Sequence, residues 1–284
     1  MVTRAIHVEL VPGLDTSTFR NALRRFFALF GVCKHLRSDN ASTFCCAVRQ
    51  MGNDYEKTLE ILKLEAQRAN CDWIFNPPTA SHFGGLWERA IRKVRSILDA
   101  VILVNGNRAI SRDEMDTLFK EACAIVNNTP MYQSSHHPDE PLPITAASLM
   151  TMKDTPNPPP LDIFTEADLN AYGKLRWRRI QHLADEFWHR WRNNVLSELM
   201  SRQKWTKQYP NLIAGDLVLM RAKNLKRNDW PTGVIQDVKL SDDGIVRSCT
   251  VRTNKGLYVR PVCELVKLSP ERVGVSRQKD SAEK

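Results

Sequence analysis

The sequence lacks any run close to the ~20 consecutive apolar residues that a membrane-spanning helix needs. Its first residues, Met1–His7, do not show the basic, apolar and small-residue order of a secretory signal peptide. The seven cysteines include no Cys-x-x-Cys pair, which argues against a zinc framework. We therefore expect an intracellular protein with reduced thiols and no membrane partner.

The charge balance indicates an anionic partner. The chain has 41 Lys and Arg against 32 Asp and Glu, a net charge of +9 and a pI near 9.3. Such an excess favours polyanions, nucleic acid ahead of an acidic membrane surface. Between Lys174 and Lys207 the sequence places nine basic residues against three acidic ones. An apolar content of 42% is enough for a packed core and excludes wholesale disorder.

The first half of the chain alternates short apolar runs with helical periodicity. The pattern predicts strands at 5–11, 34–37 and 71–75, and helices at 16–30, 55–69, 86–101 and 112–127. Strands that alternate with helices are typical of a parallel or mixed sheet covered by helices. We therefore predict an α/β domain over residues 1–150.

The second half changes character at a proline-rich segment. Residues 130–160 contain eight of the fifteen prolines, which predicts a domain boundary followed by a linker at 151–173. A basic amphipathic helix is expected within 174–207, roughly from Lys174 to Lys204. Its apolar stripe consists of Trp177, Ile180, Ala184, Phe187, Trp191, Val195 and Leu199. We expect this stripe to be buried by packing or by helix pairing.

The C-terminal segment is predicted to be a small all-β domain. Short strands are expected at 215–220, 233–238, 245–253 and 257–262, separated by turn signals at Asp242–Gly244 and Asn254–Gly256. This spacing is typical of an SH3-like barrel, here over 208–270. The polar tail at 271–284 is expected to be disordered.

Two carboxylates stand where an α/β fold places ligands. Asp39 follows the predicted strand 34–37, and Glu88 lies in the opening turn of the predicted helix 86–101. Paired carboxylates can hold a hard divalent cation such as Mg²⁺. Taken singly, an Asp after a strand is usually a turn former, and a Glu in the first turn usually stabilises the helix dipole.

The surrounding motifs favour the metal-binding interpretation. Ser38-Asp39-Asn40, followed by Asn76-Pro77-Pro78 and by His82-Phe83-Gly84-Gly85-x-Trp87-Glu88, resembles the integrase core of Bel–Pao-type long-terminal-repeat retrotransposons. The similarity includes Val2–Leu10 and resumes after the proline-rich linker. There it involves Lys174–Leu183, Phe187–Trp191 and Gly215–Val218, so it extends over nearly the whole chain up to Pro270.

The resemblance implies a ribonuclease-H-like core with a site of three carboxylates, Asp, Asp and Glu, that binds Mg²⁺ or Mn²⁺. Asp39 matches the second Asp, Glu88 matches the Glu, and Asn40 matches the family's Asn, whereas Ala41 replaces its usual Gly. The family's first Asp lies upstream of the Val2-Thr3-Arg4-Ala5 block and has no counterpart here. We therefore expect an N-terminally truncated piece that binds the metal weakly or not at all and is catalytically defective alone.

Basic side chains complete the candidate DNA-binding set. Arg92 and Arg95 are expected within about 40° of Glu88 around the same helix and could contact phosphates. In the barrel, Arg221, Lys223, Lys226 and Arg227, beside Trp230, could grip the DNA backbone. A solvated charged surface is the ordinary alternative for both groups.

The function predicted from the sequence is metal-dependent integration of retroelement DNA. The expected partner is double-stranded DNA, both the element's ends and the target, and a homo-oligomer acting in the nucleus is expected. Two alternatives stay open: a non-catalytic binder of nucleic acid or chromatin, and a ribonuclease-H-type nuclease. An aromatic cage in the barrel, with Trp230 and Tyr258 as candidates, would favour the chromatin binder.

Overall fold

The computed structural model describes most of the chain as a mixed α/β protein. It describes residues 3–13, 15–38, 64, 67, 68, 70–75, 85–133, 143–153, 158–171, 173–201, 210–222 and 225–268. Contacts divide the chain into two compact units. Unit 1 comprises residues 1–7 and 120–284, and unit 2 comprises residues 8–119. This division falls inside a helix, whereas the sequence pattern had placed a boundary at the proline-rich segment.

Unit 2 combines a parallel strand pair with helices. Its elements are helix α1 (Thr16–Phe30), strands β1 (His35–Ser38) and β2 (Asp72–Phe75), helix α2 (Gly85–Asn105) and the first half of helix α3 (Arg112–Asn127). Asp15 caps α1 by accepting a hydrogen bond from the Thr18 backbone N–H at 2.9 Å. The predicted helices at 16–30, 86–101 and 112–127 are thus confirmed, and the helix expected at 55–69 lies largely outside the described residues.

The two strands of unit 2 are hydrogen-bonded to each other, and two free cysteines are in contact just before the strands begin. They pair in parallel with His35 opposite Asp72 and Ser38 opposite Phe75. Just before the strands, the Sγ atoms of Cys33 and Cys71 lie 3.7 Å apart. Burial and the neighbouring Cys33 raise the pKa of the Cys71 thiol to about 11. Cys71 therefore stays protonated, and its buried side chain acts as a small packing residue.

The prediction of a strand at 5–11 is wrong, because these residues form no strand in the structure. Ile6 instead hydrogen-bonds with the side chain of Asn127, in the same unit. Its N–H donates to Asn127 Oδ1 at 2.8 Å, and its carbonyl accepts from Asn127 Nδ2 at 2.9 Å. A side-chain amide thus satisfies the backbone groups that a neighbouring strand would otherwise pair.

Unit 1 contains a long helix and an antiparallel sheet. Its elements after the second half of α3 are β3 (Tyr132–Gln133), β4 (Pro143–Ile144), α4 (Ala146–Thr151), α5 (Arg176–Ser201), β5 (Leu217–Met220), β6 (Thr232–Leu240), β7 (Val246–Thr253), β8 (Gly256–Pro261) and β9 (Leu265–Lys267). Strands β5–β9 form one sheet in the order β8-β7-β6-β5-β9, and every neighbouring pair is antiparallel. The predicted turn at Asp242–Gly244 is confirmed. Of the turn expected at Asn254–Gly256, Asn254 and Lys255 form the turn and Gly256 is the first residue of β8.

The sheet packs around its own apolar cluster. Val218, Ile235, Cys249, Val251 and Leu265 are almost completely buried there. Gly233 allows β6 and β7 to approach, because a Cβ at this position would lie 2.7 Å from the Arg252 carbonyl oxygen. The five-stranded antiparallel sheet matches the all-β expectation, and closure into an SH3-like barrel stays a prediction.

Helix α5 buries most of the predicted apolar stripe. Ile180, Ala184, Phe187 and Val195 are buried, and Trp191 is 7% exposed. Trp191 stacks on Phe187 with ring centroids 6.3 Å apart, and its Nε1–H donates to Thr129 Oγ1 at 2.8 Å. Trp177, at the helix start, is 45% exposed and makes an edge contact with Phe164. The stripe is therefore an internal packing surface, with Trp177 at its margin.

Replacement of Trp191 by Ala should lower the free energy of unfolding by about 3–5 kcal/mol, because it leaves a cavity and removes the partner of Thr129. Chemical denaturation followed by circular dichroism measures this loss. Trp177→Ala is the matched control, and its effect should be well below that of Trp191→Ala since Trp177 is half exposed. Equal losses in the two variants would show that Trp191 is not a packing residue.

Candidate nucleic-acid interface

The last residue of strand β1, Ser38, directly precedes the first candidate carboxylate, Asp39. The indole Nε1–H of Trp73 on β2 donates to Ser38 Oγ at 3.0 Å, and Trp73 stacks on Phe19 of α1 with centroids 5.7 Å apart. Ser38, the last residue of β1, is thereby tied to both β2 and α1. Asp39 and Asn40 follow directly but lie outside the described residues, so their predicted roles stay predictions.

Glu88 lies in the first turn of α2, as the sequence predicted, and its side chain is partly buried. A glutamate in the first turn is stabilised by the helix dipole. Within the described residues, no group of three or more His, Cys, Asp or Glu side chains could hold a metal ion. Carboxylate oxygens are suited to Mg²⁺ or Mn²⁺, but of the two matched carboxylates only Glu88 is described.

The exposed face of α2 carries Arg92 and Arg95, and both side chains are exposed. At 100° per residue they lie about 40° and 20° from Glu88, on either side of it. Val94, Ile97 and Val101 are buried, and by the same geometry they lie about 120° or more from Glu88. Asp99, also exposed, shares the arginine face and moderates its charge. The helix therefore buries one side and presents on the other the two arginines together with Glu88 and Asp99, so this face carries no net charge.

The four basic residues expected to bind DNA from the β domain have different environments. Arg221 and Lys226 are exposed, whereas Lys223 lies outside the described residues. Arg227 is buried, with a side chain only 1% exposed. Its guanidinium donates to Glu121 Oε2 at 3.0 Å, to Gln181 Oε1 at 2.9 Å and to Asp185 Oδ1 at 2.9 Å. This burial is at odds with the expected phosphate contact, and Arg227 does not form part of an exposed basic surface.

Trp230 is also buried rather than displayed. Its ring meets that of Trp188 on α5 edge to face, with centroids 4.9 Å apart. It is 9% exposed, so it cannot take part in an open aromatic cage. Tyr258, the other cage candidate, is 38% exposed, and the guanidinium of Arg260 lies 5.7 Å from its ring centroid. Of the two residues proposed for an aromatic cage, only Tyr258 is therefore accessible.

The sequence analysis missed Arg192, which lies on α5 next to Arg221. Arg192 is 7% exposed, and its Nη2–H donates to the carbonyl oxygen of Ala222. Burial, and then the charge of Arg221, lower the pKa of Arg192, while Asp229 acts in the opposite sense. One signal was available in the sequence: Arg192 follows Trp188 by four residues, so the two share a helix face.

The family comparison covers the C-terminal third of the chain. Residues 175–268, or 94 of 284, match the model of a family of unknown function (DUF5641). The match begins next to α5 and ends at Leu268, whose N–H donates to the Leu217 carbonyl of β5 at 2.9 Å. Helix α5 and the five-stranded sheet thus coincide with one family segment, although the sequence analysis had treated them as two elements.

Two further comparisons complete the findings. No curated protein matches the chain. Among solved structures, the chain is similar to a chain in the cryo-electron microscopy structure of the simian T-cell lymphotropic virus intasome in complex with PP2A regulatory subunit B56 gamma. The identity is 12%, the TM-score is 0.32, and the similarity covers 90% of this chain and 66% of that chain. A similarity of this strength does not by itself establish a fold or an activity.

None of the described helices is both long enough and apolar enough to cross a membrane.

Proposed function

We propose that the protein is an integrase-like nucleic-acid-binding protein whose helix α2 contacts the backbone of duplex DNA. The observation that carries this proposal is the face shared by Glu88, Arg92 and Arg95, opposite the buried side of the helix. Arginine forks match the geometry of phosphate oxygens. The net charge of +9 gives the attraction to a polyanion that such contacts need.

The integrase part of the proposal is supported by the motifs around Asp39 and Glu88. β1 ends at Ser38, so Asp39 follows the C-terminal end of a strand paired in parallel with β2. Ligands of α/β sheets bind at the carboxyl ends of parallel strands. The RNase-H-like core, an SH3-like closure of the β domain, retroelement DNA as substrate, assembly into a homo-oligomer and action in the nucleus are parts of this same proposal.

Duplex DNA should bind with little sequence preference, and its affinity should fall steeply between low and moderate salt because counterions are released. Arg92→Ala and Arg95→Ala should each reduce the slope of log affinity against log salt by about one unit. Fluorescence anisotropy with two unrelated duplexes measures both effects. Arg24→Ala is the matched control, because Arg24 is an exposed arginine on α1 of the same unit.

This proposal would be contradicted by an affinity that stays flat over the same salt range. It would also be contradicted if Arg24→Ala reduced the slope as much as Arg92→Ala does. In that case the attraction would reflect net charge alone, with no contribution from the face of α2.

We propose that Asp39 and Glu88 hold Mg²⁺ or Mn²⁺, whose charge would stabilise negative charge at a phosphate undergoing in-line displacement. They supply two of the three carboxylates that the resemblance implies. A polypeptide with only these two should therefore bind the ion weakly and should not cleave or join DNA strands by itself. Strand-transfer and 3′-processing assays with each metal test this expectation. Activity that disappears in both Asp39→Asn and Glu88→Gln would show that another residue supplies the third ligand.

A further inference from the structure

Two cysteines of unit 2 meet where strands β1 and β2 begin. The Sγ atoms of Cys33 and Cys71 lie 3.7 Å apart, although the two residues are 38 positions apart in the chain. Both are free thiols in the structure. The Asp72 N–H donates to the Lys34 carbonyl at 2.8 Å, so the backbone beside both cysteines is held by a bond between the two strands. The fold thus keeps the two thiols next to each other.

The distance between the two sulfur atoms is close to what a covalent bond needs. The sulfur atoms of a disulfide lie about 2.0 Å apart, so each Sγ has to move by roughly 1 Å. Rotation of the two side chains about their Cα–Cβ bonds can supply a movement of this size. A disulfide between Cys33 and Cys71 therefore needs little rearrangement of the strands that carry them.

The two thiols differ in their access to an oxidant. The side chain of Cys33 is partly exposed, whereas Cys71 is completely buried. Burial and the neighbouring Cys33 raise the pKa of the Cys71 thiol to about 11, so little of it is thiolate at neutral pH. Because the accessible thiolate is the species that oxidants attack, Cys33 reacts first and Cys71 resolves the product.

We propose that Cys33 and Cys71 form a redox modification site, at which a peroxide converts the two thiols into a disulfide that links β1 to β2. The cross-link restricts the unfolded chain and so stabilises the folded one. It also fixes the start of the strand that ends at Ser38, directly before the candidate carboxylate Asp39. The site is independent of the proposed function, because the thiols react whether or not the chain binds DNA.

The reaction consumes one peroxide for each disulfide. The Cys33 thiolate first attacks hydrogen peroxide, so that an S–O bond forms, the O–O bond breaks, and the departing hydroxide takes up the proton that Cys33 has lost. The sulfur of Cys71 then attacks the sulfur of the Cys33 sulfenic acid. An S–S bond forms, the S–O bond breaks, and the hydroxide leaves as water with the proton of Cys71. Two thiols are thereby oxidised, one peroxide is reduced, and two water molecules form.

Peptide mapping of the oxidised wild-type chain tests the site. Trypsin cleaves after Arg25, Lys34, Arg68 and Arg89, so Cys33 and Cys71 fall in separate peptides, 26–34 and 69–89, with one cysteine each. After brief treatment with hydrogen peroxide and alkylation of the remaining thiols, mass spectrometry should find these two peptides linked as the main disulfide. The same treatment in concentrated urea is the control, and it should give a mixture of pairings.

The same mixture in the native and the urea-treated chain would overturn the site. So would oxidation of Cys33 to the sulfinic acid while Cys71 stays a thiol, because a resolving thiol in contact with Cys33 forms the disulfide before that stage.

The stabilising role is tested by thermal unfolding. The oxidised wild type should melt several degrees above the reduced one, and dithiothreitol should reverse the rise. Cys33→Ser should show no rise, whereas Cys263→Ser, which replaces an exposed cysteine of unit 1, should retain it. A rise of equal size in Cys33→Ser would show that the link is not its cause, and a link that forms without any rise would overturn the stabilising role.

Discussion

Unit 1 depends on the ion-pair network of one buried guanidinium. Arg227 takes four acceptors, because the Gln181 carbonyl at 2.9 Å joins the three side-chain oxygens of Glu121, Gln181 and Asp185. Burial of a charge costs several kcal/mol unless it is paired and fully hydrogen-bonded. Here the cost is offset only while α3, α5 and the β5–β6 segment keep their present arrangement. The network therefore specifies that arrangement.

Other residues of α5 also contact the residues that follow β5. Arg227 hydrogen-bonds to Gln181 and Asp185 of α5, the ring of Trp230 contacts that of Trp188, and the Ala222 carbonyl accepts from Arg192. The backbone of Arg221 is fixed from the other side by Glu264 of the short turn before β9. Helix α5 is thus held to the β domain by hydrogen bonds as well as by ring contact.

Local structure was largely predictable from the sequence, because it depends on periodicity and turn chemistry. Helix α3 was predicted with its observed bounds, and the sheet turns near Gly244 and Gly256 follow directly from their residues. The conformation of residues 5–11 could not be predicted in this way, because the backbone groups of Ile6 are hydrogen-bonded by the side chain of Asn127, which lies 121 residues away in the chain. The role of Arg227 was equally hidden, since its partner Glu121 lies 106 residues away. A basic residue in a loop has the same sequence signature whether it faces water or is buried against two carboxylates. The candidate site was predicted in part, since Glu88 lies in the expected first turn of its helix.

The most direct test of this account is the stability of unit 1 when Arg227 is removed. Arg227→Ala leaves Glu121 and Asp185 without their shared cation, so the free energy of unfolding should fall by about 3 kcal/mol or more. Lys226→Ala, an exposed neighbour, should change it by less than about 0.5 kcal/mol. Urea denaturation gives both values, and hydrogen exchange should show α5 and β5 losing protection together in the Arg227 variant. Equal stabilities for the two variants, or lost protection confined to the β5–β6 segment, would contradict the central role of Arg227.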